Sequence, residues 1–182
     1  MSDAAFDADQ WATELETHRE DKDQFFREHK QSPVAPENRD QFDGLQYFPP
    51  DPAYRIEATA TVHDDPDTVS LETTAGPEVE YEHSLTLTFE VRDDEFTLAA
   101  YRQGDGPYFV PFRDKTTGQQ TFQYGRYMEF ETDHEVEDGD VLTLDFNLAF
   151  NPFCAYSDAF TCPLPPRDNW LDVVITAGEK WE

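Results

Sequence analysis

In residues 83–102, HSLTLTFEVRDDEFTLAAYR, apolar side chains fall on every second position twice over. Leu85, Leu87, Phe89 and Val91 form one row, and Phe96, Leu98 and Ala100 form another. A period of two is the signature of a half-buried strand, and Asp93-Asp94 between the rows is a hairpin signal. The same reading extends outward to YRIEATATVH (54–63), PYFVPF (107–112), TFQYGRYMEF (121–130), VLTLDF (141–146) and WLDVVIT (170–176). Turn-forming stretches DDPD, GDG, KTTG and EDGD separate them. Closely spaced strands joined by turns predict a mainly β chain, an antiparallel β-sandwich or barrel, rather than a βαβ sheet.

Only the N-terminus has helical spacing. Trp11, Leu15, His18, Lys22, Phe25 or Phe26, and His29 make one stripe, which predicts a helix over 7–30. Asp7 is placed to cap it, with Gln10 at the capping-box position, and Ser32-Pro33 stops it. The 182 residues suit a single domain, 1–182, with the helix at 7–30 and the β domain at 53–182. The helix is expected to cross one face of the sheet or close one end.

The formal charge is −27, from 40 acidic and 13 basic residues, and only four of the basic ones are lysines. Such a coat repels itself in dilute buffer, whereas at about 1 M salt the Debye length is only about 3 Å. The composition therefore suits a salt-adapted protein. Nucleic acid is not an expected partner, since polyanion binding requires a basic patch. No membrane is expected either, because no run approaches the ~18 apolar residues a span requires. The opening MSDAAFDADQW lacks a basic start and an apolar h-region, so a cytoplasmic location is the default.

One segment departs from the acidic coat. DFNLAFNPFCAYSDAFTCPLPP (145–166) has Asp145 and Asp158 as its only charged residues, together with both cysteines and four prolines. The prolines bar a central strand, and the missing charge implies burial or a pocket wall. Cys154 and Cys162 lack the short spacing of a zinc site, and no metal is expected. No His lies nearby to serve as a base, so both are expected to be free, apolar and slow to react. No phosphate loop, nucleophile elbow or dinucleotide fingerprint is present, and no cofactor is expected.

Long stretches of the chain resemble the family labelled domain of unknown function 1684. They are FVPFRDKTTGQQTFQYGRYMEF, LDFNLAFNPFCAYSDAFTCPLPPRDNWL and ITAGE, with the earlier pattern W…R…KDQFF…SP…F.GL.YFP. Two positions depart from the usual pattern. The glycine-rich run before GRY is Gln123-Tyr124-Gly125, and the tyrosine before NP is Phe150. The resemblance implies a shared fold and a shared late-chain site, but no activity.

The candidate site residues are Arg113, Arg126, Asp145, Asn147, Asn151, Tyr156 and Glu179. Arg113 stands in a turn that also reads as a self-capped loop, and its fork suits a carboxylate or phosphate. Arg126 is expected to reach Asp145, as a structural ion pair or as a guanidinium aimed at an anion. The asparagines suit either the backbone of an irregular segment or a ligand. Glu179 is a carboxylate at the end of a C-terminal strand, available to pair with Arg113 or Arg126. These readings point to a domain that binds a small, anionic ligand. The alternatives are a cofactor-independent hydrolase or isomerase, using Asp145 or Glu179 with Arg126, and an acidic interaction module without a pocket.

Overall fold

The computed structural model describes residues 6–181. Helix α1 (Ala8–Glu28) precedes strands β1 (Arg55–Val62), β2 (Thr68–Leu71), β3 (Val79–Val91), β4 (Asp94–Arg102), β5 (Tyr108–Phe112), β6 (Arg126–Phe130) and β7 (Val141–Asp145). The strands form one antiparallel sheet in the order β6-β5-β4-β3-β1-β7, with β2 attached to β3. The sheet curls into a half-barrel, so the chain is mainly β with an N-terminal helix.

The β3–β4 hairpin anchors the sheet. Its pairs include Leu87 with Leu98, Phe89 with Phe96, and Val91 with Asp94. The turn is Arg92-Asp93, one residue before the predicted position, and both residues have positive φ (51° and 70°). That is the two-residue geometry whose twist matches the flanking strands. Between His83 and Leu85 the register shifts. Such a bulge exchanges the faces of the strand. Leu85, Leu87, Phe89 and Val91 enter one apolar cluster with Leu98, Val110 and Phe112. Tyr81 lies against a second cluster, formed by Leu71, Ala99, Tyr101, Phe109, Tyr127 and Cys162.

The sheet therefore has apolar residues on both faces, and each face is covered by irregular chain. Residues Leu171, Val173, Ile175 and Ala177 cover the first. Phe150, Cys154 and Cys162 cover the second. The predicted strand at 170–176 is not one. Its backbone bonds go to Arg113 and Lys115, at 2.7 and 2.9 Å, and then to side chains, so no ladder forms. Strand β2 was not expected from the sequence.

Asp7 caps α1, accepting from the amides of Asp9 and Gln10 at 3.1 and 3.0 Å. The Gln10 side chain turns to Glu14 instead of closing a capping box. The inner stripe is Trp11, Leu15, Arg19, Lys22 and Phe26, while His18 and His29 are exposed. The Phe26 ring meets Phe153 and Tyr156 edge-on at 5.8 and 5.1 Å. Arg19 donates to the Phe48 carbonyl at 3.0 Å. The helix thus packs on the irregular segments beside the sheet.

Candidate functional site

The predicted site residues fall into four places. Arg126 opens β6 and is 1% exposed. Its guanidinium donates to the carbonyls of Ala177, Glu179 (3.2 Å) and Ile175 (3.1 Å). Its carboxylate partner is Asp114, at 3.5 Å, not Asp145. Strand order explains the difference: β6 and β7 stand at opposite ends of the sheet, so the EDGD turn does not pair them. Asp114 also accepts from the Ile175 amide at 2.7 Å and the Thr116 hydroxyl at 2.8 Å. Burial lowers the Arg126 pKa, while Asp114 and Glu179 oppose that shift. The pair is a side-chain substitute for a neighbouring strand, holding residues 175–179.

Gly125 and Gly178 let the backbones come this close. A Cβ on Gly125, at φ +96°, would lie 2.5 Å from the Phe112 carbonyl oxygen. A Cβ on Gly178, at φ +83°, would lie 2.7 Å from the carbonyl oxygens of both Phe146 and Ala149. Only a residue without a Cβ suits these positions.

Asn151, Tyr156 and Glu179 do come together. The Glu179 carboxylate, 2% exposed, accepts from the Asn151 amide (3.1 Å) and the Tyr156 hydroxyl (3.2 Å). Its cation is Lys22 of α1, bonded to Oε2. Asn151 Nδ2 donates to the Tyr156 oxygen and the Lys180 carbonyl. Burial, and then the Glu179 charge, push the Tyr156 phenol up. Neither Arg113 nor Arg126 supplies the Glu179 side-chain ion pair.

Asp145 and Asn147 form a separate group. Asp145 accepts from the Trp11 indole (3.1 Å) and the Asn147 amide (2.9 Å), with Arg55 at 3.6 Å. Asn147 exchanges two bonds with the Asp51 backbone, at 2.9 and 2.8 Å. Arg113 is apart from all of these, with its guanidinium 4.5 Å above the Trp170 ring.

Asn169 is a buried residue that the site reading missed. Its side chain bonds the Ala99 amide and carbonyl and the Pro111 carbonyl at 2.8–3.0 Å. It stands between β4 and β5, beside the pairing of Tyr101 with Phe109. Its signal was the isolated asparagine of PPRDNW in a proline-rich run.

An apolar concavity lies on the second face. A groove of about 480 Å³ is lined by the rings of Tyr81, Phe109, Tyr127, Phe150, Phe153 and Phe160. Pro152, Cys162 and Pro163 complete the wall from the charge-poor segment, and Glu129 is the only charged lining residue among those described. Desolvation raises the Glu129 carboxyl. None of the seven predicted residues lines this groove. Cys154 and Cys162 are free, as expected; Cys162 is buried in the second apolar cluster and Cys154 packs against that cluster half-buried. Their mutual interaction raises the Cys154 thiol and lowers that of Cys162. Among the described residues, no group of three or more His, Cys, Asp or Glu is placed to hold a metal, and no helix is long and apolar enough to cross a membrane.

The solution NMR structure of an uncharacterized protein from Haloarcula marismortui is similar to this chain. It has 56% sequence identity and a TM-score of 0.76, with 95% of each chain covered. No curated protein matches the sequence. The family described as "Protein of unknown function (DUF1684)" matches residues 40–180, and the chain belongs to it.

Proposed function

We propose that this protein is a small-ligand-binding β domain whose ligand is an organic cation with an apolar body, held in the groove of the second sheet face. The observation that carries this reading is the lining itself: six aromatic rings and one carboxylate, Glu129. Aromatic rings attract a cation within about 6 Å of their centres, by roughly 0.5–2 kcal/mol each. The volume lies within the range of about 300–1,000 Å³ of small-molecule sites. A chain of charge −27 also draws cations towards it. The arginines favoured an anion in the sequence, but Arg126 is bonded to the protein's own carbonyls and Arg113 stacks on Trp170. Neither lines the groove.

The test is calorimetric titration with benzyltrimethylammonium and its neutral isostere, neopentylbenzene solubilised at matched concentration, both in molar KCl. The cation is expected to bind and the isostere to bind at least tenfold more weakly. Glu129→Gln is expected to remove most of that preference. Because the Glu129 carboxyl is raised in the free protein, affinity should rise with pH as Glu129 ionises. Equal binding of the two probes, or binding of neither, would overturn the reading.

A further inference from the structure

The bulge between His83 and Leu85 has a second effect, on two histidines. In a regular strand, residues three apart lie on opposite faces, but the register shift brings His83 and Thr86 to the same one. The Thr86 hydroxyl oxygen lies 3.1 Å from His83 Nε2. His63, the residue after β1, brings its own Nε2 to 2.8 Å from the same oxygen. The two ring centroids are 4.6 Å apart. The backbone holds both residues in place: the His63 amide donates to the Ser84 carbonyl at 3.1 Å, and the His83 amide to the Asp67 carbonyl at 2.9 Å. Two imidazole nitrogens thus converge on one point from neighbouring segments of the sheet. The single hydroxyl hydrogen at that point can serve only one of them. Both histidines are only partly buried.

We propose that His63 and His83 form a two-histidine site for a first-row transition-metal dication, bound through both Nε2 atoms. Imidazole is the commonest protein ligand for metals and suits Zn²⁺, Cu²⁺ and Ni²⁺. A neutral ring carries one proton, and placing it on Nδ1 leaves the Nε2 lone pair for the metal with no change of charge. The ion takes the point on which the two nitrogens converge, and the Thr86 oxygen and solvent fill its remaining positions. No third His, Cys, Asp or Glu completes the set among the described residues. Two protein ligands are fewer than the three of a catalytic zinc site or the four of a structural one, so the metal is exchangeable, not permanent. The surroundings favour a dication. Asp64, Asp65 and Asp67 are exposed between β1 and β2, directly after His63, and their field draws cations to the pair. A bound metal ties the end of β1 to β3 beside the bulge, and so stabilises the fold.

The experiment is a Zn²⁺ titration of the full chain in molar KCl, with Mg²⁺ in large excess to occupy the carboxylates of the acidic coat. Long-range proton–nitrogen correlation spectra of the imidazole rings report all five histidines at once. The expected result is a saturating shift of the Nε2 signals of His63 and His83, complete at one zinc per chain, with His18, His29 and His134 unmoved. His63→Gln and His83→Gln should each weaken zinc binding at the remaining ring at least tenfold, and zinc should raise the melting temperature of the wild type but not of either variant. Three results would overturn the proposal: no shift or a shift at only one of the two rings, shifts spread over all five histidines without saturation, or zinc binding in His63→Gln as tight as in the wild type. Zinc taken up by Cys154 and Cys162 instead would leave the histidine signals in place, which is the first of these results. The wild-type spectrum decides by itself if a variant does not fold. The groove ligand is not present, so the outcome does not depend on the cation reading of the groove.

Discussion

Arg126 satisfies the carbonyls of Ile175 and Ala177, which have no strand beside them. A lysine keeps the charge but not the planar fork, so it cannot reach these carbonyls and Asp114 together. Arg126→Lys should therefore lose more than about 1 kcal/mol, and Arg126→Met about 3–5 kcal/mol, in denaturant unfolding. Adding Asp114→Asn to Arg126→Met should recover only part, since the carbonyls stay unpaired. An unchanged stability in Arg126→Lys would show that the guanidinium is not structural. That Arg126 would need a carboxylate was legible from its charge in an apolar run. Which carboxylate was not, because Asp114 comes near only through the strand order. His83 adds a pH effect. Desolvation, and then His63, depress its pKa. A depressed histidine favours the neutral fold, so stability is present above the unfolded value of about 6.5 and is lost as pH falls through the folded one. His83→Gln should flatten the loss of melting temperature on acidification. An identical pH profile in the variant would exclude His83 as its source.

At the scale of elements, alternation placed most strands correctly because it records burial on one face. It erred at 170–176, where WLDVVIT is buried like a strand but bonded by Asp114 and Arg126. Periodicity reports burial, not the identity of the hydrogen-bonding partner. The groove was only half legible. The missing charge of 145–166 marked one wall, but the other wall depends on the bulge near Ser84 that turns Tyr81 to the second face. Helix α1 is tied to the C-terminal segment through Lys22 and Glu179. Lys22→Met leaves a buried carboxylate unpaired and should cost about 3–5 kcal/mol. Lys22→Met with Glu179→Gln should recover most of that loss, measured by urea unfolding followed at the helical signal. If the double variant is as unstable as the single one, the ion pair is not the tie. Gly178→Ala meets a different obstacle, a Cβ against two carbonyl oxygens at positive φ. It should lose more than about 1 kcal/mol, and a neutral effect would mean that the 146–149 turn yields.

At the scale of the whole molecule, the charge of −27 acts on stability more than on topology. Most acidic residues remain exposed, so solvent ions can reach them; Asp114 and Glu179 are the buried exceptions among the described residues. Glu90 and Glu95 are a direct cross-strand pair on β3 and β4, and both are exposed. Like charges directly opposite each other destabilise a sheet, by an amount on the order of 0.2–1 kcal/mol. At about 0.1 M salt the screening length is about 10 Å, longer than the gap between such neighbours, and at 1 M it falls to about 3 Å. The melting temperature should therefore drop as KCl is withdrawn from molar levels. A flat profile down to about 0.1 M would remove the case for salt adaptation. Glu90→Thr separates this electrostatic cause from a general effect of salt on apolar burial. Threonine keeps strand propensity and removes one charge of the pair. If repulsion is the cause, the variant should melt above the wild type in dilute buffer, and the two should converge in molar KCl. If the difference between them is the same at both salt levels, the benefit comes from side-chain packing, and the coat acts through some other route than repulsion across this pair.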